Sequence, residues 1–162
     1  MNINLQNCNE YLNHKYVSKY YNIKVRKANG KKINNDDIFK HCVSYFMIPK
    51  ITFCYMRWVQ KQSWEETGVY EYMEKLIEES NGKCIDGCRT LADIHKRYNN
   101  LDLIYLEAQK EKTLRKQKFG NNILIHLNKG KPIFAGGGCH RFAISKILNL
   151  ECVPVDVGLI YE

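Results

Sequence analysis

Apolar residues along this chain recur with different periods in different stretches, and the periods predict its elements. Leu91, Ile94, Tyr98, Leu101, Tyr105 and Ala108 follow one another at alternating steps of three and four, the pattern of a helix with one buried face. Thr90-Leu-Ala-Asp93 has the form of a capping box, in which the hydroxyl and the carboxylate each satisfy an amide of the first turn. The stripe extends over only about two and a half heptads, so packing within the chain is expected and not a coiled-coil dimer. Ser63-Trp-Glu-Glu66 has the same form and predicts a helix starting there, with Val69, Met73, Leu76 and Ile77 as its apolar face up to Asn81-Gly82.

After a basic connection, 110–118, the pattern becomes strand, turn, strand, helix, strand. Segments 123–127 and 132–135 flank the turn Asn128-Lys-Gly-Lys131. Apolar positions 143, 144, 147, 148 and 150 predict a short helix over 141–150, and Val153, Val155 and Val157 alternate in a closing strand over 152–160. The N-terminal part is less regular. A polar arm is expected to about Asn22, then a hairpin over 23–33 around Asn29-Gly30, a pair suited to a type I′ turn. Asp36 and Asp37 precede an apolar run, 38–47, that predicts a short helix ending before Pro49. Segment 51–59, rich in aromatic and branched residues, predicts a strand.

Together these elements predict a mixed α/β domain over 51–162, preceded by a basic extension over 1–50. A chain of 162 residues is long enough to bury its own core. No apolar run approaches the roughly 18 residues that cross a bilayer, and the first residues lack the features of a signal peptide, so a cytoplasmic protein with no membrane partner is expected. The seven cysteines (8, 42, 54, 84, 88, 139, 152) are odd in number and irregularly spaced, and reduced thiols are expected. Cys84, Cys88 and His95 raise the question of zinc, but no second ligand pair stands nearby and no metal site is assigned.

Charge is unevenly placed. Residues 1–62 hold 11 Lys/Arg against 3 Asp/Glu, whereas residues 63–162 hold 14 of each. With Tyr11, Tyr16, Tyr20 and Tyr21 interleaved, the basic part could give weak nucleic-acid binding through phosphate contacts and base stacking. A solvated surface in a Lys- and Asn-biased chain is the plainer explanation, since charge bias speaks first to solubility.

Chemistry concentrates in Phe134-Ala-Gly136-Gly137-Gly138-Cys139-His140-Arg141, between a predicted strand and a predicted helix. Three glycines let backbone approach a ligand closely, and the amides that open a helix suit a phosphate. His140 and Arg141 would add donors, Arg141 in bidentate form. The spacing is neither a Walker loop nor a dinucleotide fingerprint. A thiol at a helix N-terminus beside His140 and Arg141 should have its thiolate favoured.

The run from Ile133 to Leu148 through Gly-Gly-Gly-Cys-His-Arg, followed by Val153-Pro-Val155, resembles the nucleotide-binding core of the ParB/sulfiredoxin superfamily. The likeness covers 122–160. Trp64-Glu-Glu-Thr67, the helix after Cys88, and segment 101–105 more loosely resemble its uncharacterised ParB-like branch. The resemblance implies a small sheet flanked by helices and binding of ATP or another nucleoside phosphate with Mg2+. Gly136, Gly137, Gly138, Cys139, His140 and Arg141 would lie at the phosphates, and Cys139, His140 and Arg141 would be the catalytic positions. Members of the superfamily differ in what they do: ParB proteins hydrolyse CTP while clamping DNA, sulfiredoxins use a cysteine and ATP to reduce a sulfinic acid, and a third branch phosphorylates free serine. Phosphoryl transfer to a small molecule or protein group, or nucleotide hydrolysis, is the leading expectation. A sulfiredoxin-like thiol enzyme using Cys139 and a ParB-like nucleic-acid-binding module are the rivals. Gly137 stands where the kinase-like versions often carry Asp, whereas Cys139 completes the Gly-Gly-Cys-His-Arg string of sulfiredoxin.

Other candidate acids are Glu65, Glu66, Asp86, Asp93 and Asp102. Glu66 and Asp93 are already explained as capping groups, and Asp102 is expected in solvent. Arg57, at the end of the predicted first strand, faces either the nucleotide or solvent. His95 and His126 are expected to be structural.

Overall fold

A computed structural model describes residues 1–34, 37–118 and 120–162, and shows a mixed α/β architecture with five α-helices and a mixed seven-stranded sheet. In chain order the elements are β1 (Asn2–Ile3), β2 (Glu10–Tyr11), α1 (His14–Tyr20), β3 (Lys31–Ile33), β4 (Val43–Ser44), α2 (Pro49–Trp58), α3 (Val69–Glu79), α4 (Leu91–Glu111), β5 (Ile123–Asn128), β6 (Lys131–Phe134), α5 (Cys139–Ile147) and β7 (Val153–Tyr161). Short 3-10 turns occupy Val25–Lys27, Asp37–His41 and Tyr45–Met47. Among the described residues no helix is long and apolar enough to cross a membrane.

The strand order is β1-β7-β5-β6-β2-β4, with β3 also on β7. β7, expected to close the sheet, lies inside it: β5 runs parallel along one edge, and β1 (antiparallel) and β3 (parallel) share the other. The β5/β7 register shifts between Ile125 and Leu127. At that irregularity the buried ring of His126 accepts the Leu159 N–H through Nδ1 at 3.3 Å. Gly158 leaves room for it, since a Cβ there would stand 3.2 Å from the ring.

Four predicted local elements differ in the structure. Segment 51–59 belongs to helix α2, not to a strand: Pro49 starts it at a position that needs no amide, Ile51, Cys54 and Trp58 are buried at helical spacing, and the helix packs against α5 while Trp58 stacks on Tyr105 of α4. Residues 23–33 form no hairpin. Asn29 and Gly30 do take the positive φ values of such a turn (47° and 77°), but a 3-10 turn precedes them and β3 pairs with β7. Over 38–47 two 3-10 turns enclose β4 in place of one helix, and Asp36 lies outside the described residues. The Ser63/Glu66 box forms, with Ser63 N donating to Glu66 Oε2 at 2.7 Å and Glu66 N to Ser63 Oγ at 3.1 Å. It closes a turn, however, and α3 begins only at Val69, after Gly68 in the left-handed region.

The segment 1–50, expected as an extension, supplies β1 to β4 and the buried side chains of Leu5, Cys8, Leu12, Val17, Val25, Ile38 and Tyr45. Its first loop is tied to α5 by Lys146, whose buried Nζ donates to the carbonyls of Leu5 (3.2 Å), Gln6 (2.6 Å) and Cys8 (3.4 Å) and to Asn9 Oδ1 (3.2 Å). The capping box of α4 is present in full, and Ile94, Tyr98, Leu101 and Ala108 of its stripe are buried, while Leu91 is exposed. Asp102 lies at a knot of the helical layer and not in solvent. Its carboxylate accepts the Arg57 fork (3.2 and 2.8 Å) and the indole N–H groups of Trp58 (2.8 Å) and Trp64 (3.1 Å).

Candidate phosphate site at the start of α5

β6 and α5 are joined by Ala135, Gly136, Gly137 and Gly138, and this turn rests on β5. Ala135 N donates to Leu124 O at 2.9 Å, and Leu124 N to Gly137 O at 3.0 Å. A Cβ on Gly137 would stand 2.8 Å from that of Leu124. On Gly138 (φ 72°) it would stand 3.1 Å from Asn122 O and from Ile123 Cα, and on Gly136 (φ 86°) 3.0 Å from the Tyr11 ring. The glycines therefore permit the close approach of the chain to itself.

Among the described residues no side chain caps α5, which opens at Cys139 after Gly138. The N–H groups of its first turn have no intrahelical acceptor and carry the positive end of the helix dipole. Cations come from the N-terminal half. Arg26 lies over the turn, its Nη2 3.3 Å from where a Gly137 Cβ would be. It is held there by Nε donating to His14 Nε2 at 3.1 Å and Nη1 donating to Gly120 O at 3.1 Å. His14 in turn donates from Nδ1 to Ala135 O at 2.7 Å. Since Nε2 accepts, the imidazole is neutral, and burial pushes its pKa down in agreement. Lys50, in the first turn of α2, pairs with Asp86, and the charges of both act on Cys139 and His140.

The side chains of Cys139, His140 and Arg141 take three directions. His140 is buried, with its ring edge-on to Tyr98 (centroids 5.6 Å apart, planes at 89°) and Nε2 3.5 Å from the phenol oxygen. Burial, helped by the Arg97 charge, pushes its pKa down to about 3, so it is a buried, neutral ring, where the sequence suggested a donor to a bound phosphate. Cys139 donates through Sγ to Gly136 O at 3.4 Å. Burial pushes its thiol up more than Lys50 lowers it, so the expected favoured thiolate is corrected to a protonated thiol. Arg141 turns to the far end of α4, where Nη2 donates to Arg115 O. It lines a pocket of about 360 Å3 with Ile104, Glu107, Ala108, Leu114 and Gln117, apart from the glycines. Its Nε is buried with no hydrogen-bond partner among the described residues.

Of the other candidates, only Asp86 comes near this turn. Asp93 and Glu66 hold their boxes, Arg57 serves Asp102, and His95 stacks on Tyr70 (4.2 Å, 18°). Cys84 is exposed and Cys88 buried, and no group of three or more His, Cys, Asp or Glu that could hold a metal occurs among the described residues. His14, Arg26 and Lys50 escaped the sequence reading because no motif contains them; their only signal was the basic bias of the first 62 residues. Compared with protein-family models, with curated proteins and with solved structures, the chain matches none.

Proposed function

We propose that this protein binds the phosphates of a nucleotide, ATP or a related nucleoside phosphate, at the turn that opens α5, and transfers phosphate to a small molecule or protein group. The observation that carries the reading is an uncapped helix N-terminus with Arg26 poised over the adjoining turn and the Lys50–Asp86 ion pair acting on its first residues. Backbone amides and fixed cations are what phosphate binding requires, and the same groups stabilise charge on a phosphoryl group in transfer. The order of β6, glycine turn, α5 and β7 agrees with what the sequence resemblance to the ParB/sulfiredoxin-like core implies, and supports that fold as the framework. Asp86, paired with Lys50, is the carboxylate that would have to exchange that partner to hold magnesium beside the phosphates, where the ion would neutralise developing charge. A buried, protonated Cys139 supports a thiol that stands next to the phosphates without joining the chemistry.

Calorimetric titration of ATP, ADP and CTP with magnesium, against wild type, Arg26→Ala and Lys50→Ala, tests the reading. Removing one charged group from the phosphates is expected to cost roughly 1.5 to 3 kcal/mol, about ten-fold or more in affinity. If wild type binds none of the three, the reading fails. Cys139→Ser is expected to keep most ATP turnover; loss of turnover with binding intact would replace phosphoryl transfer by thiol chemistry.

A further inference from the structure

We infer that the exposed face of α1, with the turns beside it, binds single-stranded nucleic acid. Residues 11–35 contain seven Lys/Arg and no Asp/Glu, in a chain whose last hundred residues are charge-balanced. The fold brings this stretch together, because the 3-10 turn Val25–Lys27 packs against α1. Lys15 and Lys19 stand one helical turn apart and exposed on α1, and Lys24, Lys27 and Lys31 are exposed as well. Of the remaining cations, Lys32 pairs with Glu162 and Arg26 is engaged by His14 and Gly120.

Aromatic rings share that face. Tyr16 and Tyr20, also one turn apart, are 41% and 47% exposed, and their centroids lie 6.2 Å apart. The His41 ring stands 5.3 Å from Tyr16, and a groove of about 200 Å3 between them is lined by Tyr11, Asn13 and Val43 as well. Ammonium groups alternating with half-exposed rings, Tyr20 packed edge-on to Tyr21 at 4.9 Å, match a strand whose phosphates need cations and whose bases need stacking partners. A duplex hides its base faces and an acidic peptide leaves the tyrosines unused, while an anionic membrane surface, which Lys and Tyr also suit, is separated by the vesicle arm of the test. Lys15, Lys19, Tyr16 and Tyr20 stand outside the phosphate site at α5, which this face adjoins through Arg26 and through Tyr11, whose ring borders Gly136.

Fluorescence anisotropy of the full chain with labelled oligo(dT), oligo(rU) and a duplex of equal length, across a salt series, tests the inference. Single strands are expected to bind more tightly than the duplex. Tyr16→Ala with Tyr20→Ala should weaken binding about ten-fold or more, whereas the paired Tyr→Phe changes should keep it. Lys15→Gln with Lys19→Gln should flatten the log-log salt slope by roughly 0.7 for each phosphate left without its lysine. These residues are exposed, so thermal melts should be unchanged. No binding at low salt, equal binding of strand and duplex that ignores the Tyr→Ala pair, or capture by phosphatidylserine vesicles without strand binding would each overturn it.

Discussion

Arg26 donates its Nε–H to Nε2 of His14 across 3.1 Å, and the same imidazole donates from Nδ1 to Ala135 O at the start of the glycine turn. One neutral ring thus fixes a guanidinium over the backbone that it would serve. His14 is a positioning residue whose effect on nucleotide binding passes through Arg26. His14→Ala should weaken binding several-fold, and His14→Ala with Arg26→Ala should be no weaker than Arg26→Ala alone, a non-additivity that a double-mutant cycle reads. Additive losses would mean that the two act separately.

Gly138 has a positive φ and backbone atoms of Asn122 and Ile123 within 3.1 Å of where a Cβ would be. Gly82 has nearly the same φ, 71°, but among the described residues no atom lies within 4 Å of its Cβ position. Gly82→Ala should therefore cost only the left-handed strain, about 1 to 2 kcal/mol. Gly138→Ala should cost more, and urea unfolding of the two variants side by side separates strain from crowding. Equal midpoints would show that the turn yields to a methyl group.

Lys146 satisfies three main-chain carbonyls of the 5–8 loop with one ammonium group. Lys146→Met keeps the stem but removes the ammonium donor from these carbonyls, of which Leu5 O still accepts the Cys8 N–H, at a cost of about 2 to 4 kcal/mol. Amide exchange in residues 4–9 should accelerate far more than in α4. Uniform acceleration through the chain would instead mean that the lysine supports the whole fold and not this loop.

Acid should weaken the fold through its buried histidines. Burial lowers His126 to about 4, below its ordinary value of 6.5, so the unfolded chain takes up the proton first. Its stabilising contribution is complete above pH 6.5 and is lost as pH falls toward 4; His140, lowered further, acts with the same sign. The loss from His126 is on the order of 3 kcal/mol at most. His126→Gln keeps an acceptor for the Leu159 N–H and cannot charge, so its urea midpoint should fall less between neutral and mildly acid pH than that of wild type. Parallel curves would assign the acid sensitivity elsewhere.

What the sequence by itself determined is short-range. The Thr90/Asp93 box and its three-and-four stripe define α4, the glycine-containing turn between two apolar runs defines the β5/β6 hairpin, and the change of period after it defines α5 and β7. Each depends on chemistry within one or two turns of chain, and so is written in neighbouring letters. Tertiary structure decided the rest. Branched and aromatic residues at 51–58 suit either period, and burial of Ile51, Cys54 and Trp58 at helical spacing, in a helix that packs against α5, selects the helix. Val153–Tyr161 reads as a strand in sequence, but its place inside the sheet depends on β1 and β3 from the opposite end of the chain. At the site the glycine turn was legible, whereas Arg26, His14 and Lys50 were not, because only folding brings them to it. The charge states of Cys139 and His140 went against their local sequence context, since desolvation by the surrounding core outweighs neighbouring cations and the helix end.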